Sequence, residues 1–261
     1  MIIFIIPFIS KQVCKDWKLA IALLQGTLNS IANQSDDRFK VIVSCHEIPE
    51  VSFKGDVEKL TFLPMNYSPL DDEWKGKSQT DRMMKCCTAL LSLKNTEFKY
   101  CMAVDADDRI HRDLVAFLCQ EPQADGWIVD RGYQVDYHSN RVMKYSQLSK
   151  ICGSTIILSK KLAGIPQEYT AEEYKKCIYC QGHQTMEDFF AKQGYSLYSI
   201  PFYAVQYILN HNINHSIIWR NSIKSQVKKI LKFWVVGNQM TFENQKEFGY
   251  FQSKKNRKPR F

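Results

Sequence analysis

The amino-acid sequence predicts an α/β protein built on a mixed, mainly parallel sheet that is flanked by helices. Short apolar runs rich in β-branched residues, typical of strands buried on both faces, alternate along the chain with stretches of helical period. A length of 261 residues suits a single domain of this class with a large core. The composition, 45% hydrophobic and 24% charged, excludes wholesale disorder and a multi-span membrane protein.

The first strand, helix and strand are the clearest elements. The apolar run Ile2–Ile6 ends at Pro7 and predicts a buried strand. A helix over 16–32 follows, marked by apolar residues at intervals of three and four: Trp17, Ile21, Leu24, Leu28 and Ile31. The run 40–45 predicts the second strand, and the crossover between two such parallel strands is right-handed.

The remaining elements continue this alternation. The predicted strands are 60–63, 99–104, 126–130, 154–158 and 196–200, and the predicted helices lie around 83–91, 114–118 and 184–192. A long polar loop over 64–78 is of the kind that is often functional. In open sheets of this class, ligands bind at the carboxyl ends of the strands.

Charge divides the chain into two regions. Residues 217–261 hold eleven Lys and Arg against two Glu, which leaves 24 basic and 25 acidic residues in 1–216 although the whole chain carries +8. We therefore predict a domain over 1–216 and a basic, amphipathic helical extension over 217–261. The apolar N-terminal run is too short to span a bilayer and lacks a signal pattern, so we expect a cytoplasmic protein with a possible peripheral contact on the inner membrane face.

The strongest local signal is the acidic sequence VDADD, Val104–Asp108, at the end of a predicted buried strand. Three carboxylates in such a place repel one another and lose hydration, and a divalent cation offsets that cost. Oxygen ligands favour Mg²⁺ or Mn²⁺. A solvated acidic turn that caps the following helix is the alternative interpretation.

Three more short motifs follow in order: CGST at 152–155, MEDF at 186–189 and HNINHS at 211–216. With the order of strands and helices, they resemble the GT-A nucleotide-sugar glycosyltransferases, close to glycosyltransferase family 2, over residues 1–216. The resemblance implies the GT-A, Rossmann-like form of the predicted fold. It also implies a metal-dependent, inverting transfer of a sugar from a UDP- or GDP-linked donor to a hydroxyl of a saccharide or lipid-linked acceptor.

The resemblance further implies roles for individual residues in donor binding. Asp107 would bind the metal, Mn²⁺ or Mg²⁺, directly, and Asp105 would face the ribose or a metal-bound water. The other implied donor-binding positions are Pro7, Phe8, Ile9, Glu47, Lys77, Asp81 and Ala106. An ordinary surface acid fits the pattern around Glu47 equally well.

The catalytic and acceptor residues are implied in the same way. Asp188 would take the proton of the acceptor hydroxyl, with Glu187 orienting the acceptor. Acids at a helix N-terminus, which favour the macrodipole, are the alternative for this pair. Gly153 and Ser154 would contact the acceptor. Either His211 or His215 would complete the metal shell, although a histidine in a core or surface position gives the same sequence.

Two other functions fit parts of the sequence. A sugar nucleotidyltransferase needs a glycine-rich phosphate loop after the first strand, and the segment PFISKQVCKDW contains no glycine. A nonenzymatic polyanion-binding protein accounts for the basic tail and leaves the acidic motifs unexplained. The apolar stripe Ile223–Trp234 suits either packing on the domain or an interfacial helix at an anionic membrane. We expect no specific nucleic-acid partner.

Overall fold

The structure, a computed structural model, describes residues 1–69, 78–168, 170, 173, 177–180, 182–211, 213 and 233–250. The strands are β1 (Ile2–Pro7), β2 (Phe39–Cys45), β3 (Leu60–Pro64), β4 (Tyr100–Ala103), β5 (Arg109–Ile110), β6 (Gly126–Ile128), β7 (Gly132–Asp136), β8 (Arg141–Tyr145), β9 (Ile156–Ser159), β10 (Leu197–Ser199), β11 (Val205–Leu209) and β12 (Asn238–Gln239). The helices are α1 (Trp17–Ala32), α2 (Ser78–Ser92), α3 (Leu114–Gln120), α4 (Met186–Ala191) and α5 (Phe242–Glu247).

The larger sheet has seven strands in the order β10-β6-β9-β4-β1-β2-β3. All neighbours are parallel except β9, which runs antiparallel to both β4 and β6. This arrangement confirms the predicted mixed, mainly parallel sheet. The strand order reverses between β1 and β4, since β2 and β3 lie on one side of β1 and β4 lies on the other.

Apolar packing on both faces of β1 explains why its sequence is a continuous apolar run. Alternate residues of a strand point to opposite faces. Phe4 and its neighbours on one face pack in a core that includes Leu24 and Leu28 of α1. Ile5, on the other face, packs in a second core that includes Leu90 of α2. Because Leu28 has no exposed surface, we estimate that truncating it to Ala costs roughly 2–5 kcal/mol.

The sequence did not predict a second sheet, which has the order β12-β8-β7-β11-β5. Its strands β7 and β8 form an antiparallel hairpin. At the turn, the Asp136 carboxylate accepts hydrogen bonds from the backbone N–H of Ser139 (2.8 Å) and from its hydroxyl (2.6 Å). Asn140 adopts a left-handed φ of 53°, which asparagine tolerates better than most residues. The alternating sequence YQVD at 133–136 and the polar HSN turn were the available signals.

Residues 233–250 pack against the domain although they belong to the basic C-terminal region. The Arg141 guanidinium donates to the carbonyls of Phe233 (2.9 Å) and Gly237 (2.7 Å). After α5, Phe248 has no exposed surface. Gly249 has a φ of 66° and leaves no room for a side chain, because a Cβ there would lie 2.7 Å from the carbonyl oxygen of Asn29. The change of charge at residue 217 therefore does not coincide with the end of the packed fold.

The eight cysteines whose side chains the structure describes form no disulfide with one another. Within the described ranges, no helix combines the length and the apolar character needed to cross a bilayer.

Candidate functional site

The site lies where three parallel strands end together. Pro7 at the end of β1 pairs with Ser44 of β2, and Ile5 pairs with Ala103, the last residue of β4. The segments that follow these strands therefore lie at one edge of the sheet, where the strand order reverses. Ligands of open α/β sheets bind in the crevice at such a reversal. The acidic turn Asp105–Asp108 follows β4 directly and so stands at this edge.

Asp107 is paired with a histidine from a distant part of the chain. Its Oδ2 lies 2.8 Å from Nε2 of His211, whose side chain is only 1% exposed. The other ring nitrogen, Nδ1, accepts a hydrogen bond from the backbone N–H of Ile213 (3.3 Å). In neutral His211 the proton is therefore on Nε2, which donates to Asp107. Of the two histidines that the sequence offered, His211 reaches Asp107, whereas His215 lies outside the described residues.

Asp105 is paired with a guanidinium from α2. Nε of Arg82 donates to Oδ1 of Asp105 at 2.7 Å, and both side chains are about one-quarter exposed. Burial disfavours the charge on Arg82, but the Asp105 carboxylate raises the pKa of the guanidinium above its ordinary value. From the sequence alone, a solvated position at a helix start is the preferred interpretation of Arg82, whereas the structure pairs it with Asp105. Its position near the start of α2 carries no local signal for a contact with residue 105.

Gly153 allows this ion pair to form. A Cβ at Gly153 would lie 2.7 Å from Oδ2 of Asp105 and 2.9 Å from Nη2 of Arg82, so a side chain would displace one of them. The structure thus places Gly153 directly against the two charged groups, and its role is to leave space for them. The acceptor contact that the sequence predicted for Gly153 stays a prediction.

Asp108 points away from the other two carboxylates, into the protein. Its Oδ2 accepts hydrogen bonds from the Ser154 hydroxyl (2.6 Å) and the Cys152 thiol (3.2 Å), and its Oδ1 accepts from the backbone N–H of Ile208 (3.4 Å). Burial, followed by the charges of Asp107 and Asp105, raises the pKa of Asp108 well above its ordinary value. This buried carboxyl stabilises the acidic turn from inside the protein.

Ser154 also stabilises the acidic turn. Its hydroxyl donates to Asp108 and accepts from the backbone N–H of Asp105 at 2.8 Å. The residue has no exposed surface. An acceptor contact through the Ser154 side chain, as the sequence predicted, does not fit this geometry because its hydroxyl is buried and both of its hydrogen bonds go to the acidic turn. The CGST motif instead holds the turn in place.

The groups around Asp107 fit Mn²⁺ or Mg²⁺ in part. Two ligands at neighbouring positions of an octahedral ion, each about 2.1 Å from it, stand about 3 Å apart. The observed 2.8 Å between Oδ2 of Asp107 and Nε2 of His211 is close to that separation, and it is also the length of the hydrogen bond that the two groups form without an ion. Binding of an ion through Nε2 would place the imidazole proton on Nδ1 and would break the hydrogen bond that Nδ1 accepts from Ile213. In the described part of the chain, no three His, Cys, Asp or Glu side chains come together as a metal site. The remaining positions would fall to phosphate oxygens and water, which Mg²⁺ commonly retains.

The segments after β1 and β2 are joined by Glu47. Its carboxylate accepts hydrogen bonds from the Ser10 hydroxyl and from the backbone N–H of Lys11, both at 2.9 Å. Glu47 is half-buried, and so it is not an ordinary surface acid. Phe8 is only 1% exposed and packs on the ring of Trp17 at 5.2 Å between centroids. The predicted donor contact of the Phe8 side chain therefore does not fit its position in the core.

The other positions implied for donor binding differ in accessibility. Pro7, Ile9 and Ala106 are partly buried at the strand ends. Asp81 accepts hydrogen bonds from the Tyr67 hydroxyl (2.7 Å) and from Nζ of Lys85 (2.6 Å). Lys77 lies outside the described residues.

Lys85 is a buried cation at this edge, with a side chain only 1% exposed. Burial lowers its pKa, and the Asp81 carboxylate opposes that shift. Asp81 is thereby engaged by Lys85 and Tyr67 within the fold. Its predicted role in donor binding would require it to share these contacts with a ligand.

Glu187 and Asp188 are exposed in the first turn of α4. Met186 and Phe190 of the same helix are buried in the core that also contains Met84 of α2. In the loop before α4, burial lowers the pKa of His183, and the charges of Asp105 and Arg82 also act on this pKa. His183 is a further residue of this region that the sequence analysis did not assign to the site.

The fold and the site together define an α/β protein whose charged groups converge at the strand-order reversal of its main sheet. No protein-family model matches the chain, and no curated protein sequence matches it. Among solved structures, it is similar to TarS of S. aureus, with a TM-score of 0.46 and 13% identity over 89% of this chain and 42% of the TarS chain. The chain thus spans less than half the length of TarS.

Two further structures show comparable similarity. A shorter form, S. aureus TarS 1-349, gives a TM-score of 0.44 and 14% identity over 79% of this chain and 60% of that chain. HddC from Yersinia pseudotuberculosis gives a TM-score of 0.40 and 15% identity over 78% of this chain and 92% of the HddC chain. All three TM-scores are below 0.5, so these similarities support no inference about function.

Proposed function

We propose that the protein is a glycosyltransferase that moves a sugar from a nucleotide diphosphate donor to an acceptor hydroxyl. The observation that carries this proposal is the acidic turn after β4. It stands at the strand-order reversal and presents two carboxylates, Asp107 beside His211 and Asp105 beside Arg82. Such a crevice suits a nucleotide, and this combination of charges suits a diphosphate bound with a divalent cation.

In the proposed site, Asp107 and His211 would hold Mn²⁺ or Mg²⁺. When bound, the ion would offset the negative charge that develops on the diphosphate leaving group. Arg82 would contribute a planar set of N–H donors, which match phosphate oxygens. Glu47 fixes the loop at Ser10 and Lys11 beside the same strand ends and so would shape the pocket for the nucleoside.

The proposed transfer inverts the anomeric centre, which requires a carboxylate base on the acceptor side. Asp188 is proposed as that base, and Glu187 is proposed to orient the acceptor. Both are exposed, as groups that meet an incoming substrate must be. The family resemblance of the MEDF motif supports these two roles. A saccharide or lipid-linked acceptor, a hexosyl donor and membership of glycosyltransferase family 2 belong to the same proposal.

The decisive experiment is a donor screen. The purified chain is incubated with Mn²⁺, a panel of UDP- and GDP-sugars and candidate acceptors, and release of the nucleoside diphosphate is measured. We expect release with one donor class, loss of release in Asp107→Asn and no change in Asp37→Asn, since Asp37 is an exposed acid that precedes β2, whereas the site lies where β2 ends.

The same screen separates the alternatives. A sugar nucleotidyltransferase would instead release pyrophosphate from a nucleoside triphosphate and a sugar phosphate. Equal nucleoside diphosphate release by the wild type and Asp107→Asn would contradict the proposal. The variant Asp188→Asn tests the proposed base and should lower kcat by about 10²–10⁴-fold without changing donor affinity. Glu187→Gln is the matched variant at the neighbouring residue.

A further inference from the structure

A group of exposed apolar side chains lies in the last described segment. Its members are Trp234 (58% exposed), Val235 (82%), Val236 (61%) and Phe242 (72%), and we call them the 234–242 patch. The other large exposed apolar residues of the described chain, Val13, Ile48, Val57 and Tyr198, are separated in sequence. Single exposed apolar residues are ordinary, whereas four within nine residues of chain favour an interaction surface.

The patch is held in this exposed arrangement by its neighbours. Phe233 is buried and anchors the helical residues 233–236. The Arg141 guanidinium donates to the carbonyls of Phe233 and Gly237 and lies over the Trp234 ring, 5.0 Å from its centroid. Trp234 therefore has a fixed backbone and a cation beside its ring, while much of the ring surface remains open.

The second part of the patch is fixed in a similar way. Asn238 in β12 pairs with Val142 of β8. The hydroxyl of Thr241 then accepts a hydrogen bond from the backbone N–H of Asn244 (3.2 Å) and caps α5. Phe242 is the first residue of that helix and remains exposed. The apolar surface is thus part of the ordered fold on both sides of β12.

The segments on either side of the patch are rich in basic residues, although the helix α5, which begins at Phe242, also holds the acids Glu243 and Glu247 beside Lys246. Residues 217–232 contain Arg220, Lys224, Lys228, Lys229 and Lys232 and no acid. Residues 253–261 contain Lys254, Lys255, Arg257, Lys258 and Arg260, again with no acid. Apolar and aromatic side chains flanked by basic residues complement the interface of an anionic bilayer, where the former enter the headgroup boundary and the latter meet lipid charges.

We propose that the 234–242 patch docks the protein on the surface of an anionic lipid bilayer. A protein partner is a weaker match, because four side chains offer only a few hundred Å², whereas a specific protein interface takes about 800 Å² from each partner. The proposal concerns location and does not depend on glycosyl transfer.

The test measures binding of the full chain to vesicles by co-sedimentation. Vesicles of phosphatidylcholine mixed with phosphatidylglycerol are compared with vesicles of phosphatidylcholine alone. We expect at least about tenfold tighter binding to the anionic vesicles, equivalent to about 1.4 kcal/mol. Val235→Ser and Trp234→Ala should each weaken this binding several-fold. Val57→Ser is the matched control, because Val57 is also an exposed valine (71%) but lies between β2 and β3.

A second readout follows Trp234 itself. Brominated lipids quench the fluorescence of a tryptophan that enters the headgroup boundary. The wild type should be quenched, and Trp234→Phe should keep its vesicle binding but lose most of the quenching. Thermal unfolding of each variant verifies that it is folded.

Three results would overturn the proposal. The first is no binding to anionic vesicles. The second is equal binding by wild type, Val235→Ser and Trp234→Ala, which would assign binding to the basic residues alone. The third is binding to anionic vesicles without quenching of Trp234, which would mean that the protein binds the bilayer through a different surface.

Discussion

Two sides of a single four-residue turn use the same chemical group in different ways. Asp105 and Asp107 keep 29% and 22% of their side-chain surface exposed, and each has a cationic or imidazole partner. Asp108 has no exposed surface, and its partners are a hydroxyl, a thiol and a backbone N–H. The exposed side is suited to a charged ligand. The buried side stabilises the turn that presents it.

This difference shows that the number of acids in a motif does not give the number of ligand-binding groups. A buried carboxylate without a counter-ion is costly, and a proton or uncharged donors reduce that cost. Asp108 follows this rule, and Ser154 connects it to the exposed side by accepting from the backbone N–H of Asp105. Substitutions on the two sides should therefore affect function and stability separately.

The largest effect is expected on the exposed side, in Asp107→Ala. Removing this carboxylate should lower kcat/KM for transfer by about 10²–10³-fold or more, roughly 3–4 kcal/mol, because the charge of the leaving group loses its stabilisation. Calorimetry with Mn²⁺ should find no metal-dependent donor binding, while the midpoint of thermal unfolding stays close to that of the wild type. Unchanged donor affinity in the presence of Mn²⁺ would rule out the role of Asp107.

The next effect is expected on the buried side, in Asp108→Ala. This change removes the carboxyl that accepts hydrogen bonds from the Ser154 hydroxyl, the Cys152 thiol and the Ile208 N–H. We expect a loss of about 3 kcal/mol in the free energy of unfolding, which lowers Tm by about 6–12 °C in scanning calorimetry. Asp107→Ala is the natural control, and an equal loss of stability in both variants would remove the distinction between the two sides.

A smaller effect is expected in Gly153→Ala. The added methyl group would force apart Asp105 and Arg82, whose side-chain ends can move, so the fold should lose under about 1 kcal/mol. Donor affinity should fall by about tenfold because the two charged groups leave their positions. Calorimetric titration of the donor measures this change. Wild-type affinity in Gly153→Ala would show that the Asp105–Arg82 pair is not used in donor binding.

The smallest effect is a dependence of stability on pH in the metal-free protein. Burial and the neighbouring carboxylates raise the pKa of Asp108 in the folded state. Above the unfolded-state pKa of about 3.9, the native protein retains a proton that the unfolded chain releases. The Asp108 contribution to stability is therefore present at acidic pH and is lost as the pH rises through the raised pKa.

Asp108→Asn removes this contribution while keeping the shape of the side chain. Chemical denaturation at several pH values should give a less negative slope of unfolding free energy against pH in the variant than in the wild type. Parallel slopes would indicate that Asp108 is ionised in the folded protein, and the buried side would then resemble the exposed one.

The sequence determined much of the fold because period and run length are local properties. The continuous apolar run of β1 and the intervals of three and four in α1 predicted their elements to within a few residues. The short strands β7, β8 and β11 were not predicted. They form a sheet only by pairing with one another, and β11 pairs with β7 across about seventy residues of chain.

The sequence by itself also determined that carboxylates follow the buried strand β4. Only the tertiary structure decided which of them face outward and what they meet. Arg82, Gly153 and His211 reach the turn from α2, from the segment before β9 and from the end of β11. Contacts of this kind depend on how whole elements pack against each other, and the local pattern of residues contains no record of that packing. The acidic turn was therefore predictable as a motif, and its division into an exposed and a buried side was not.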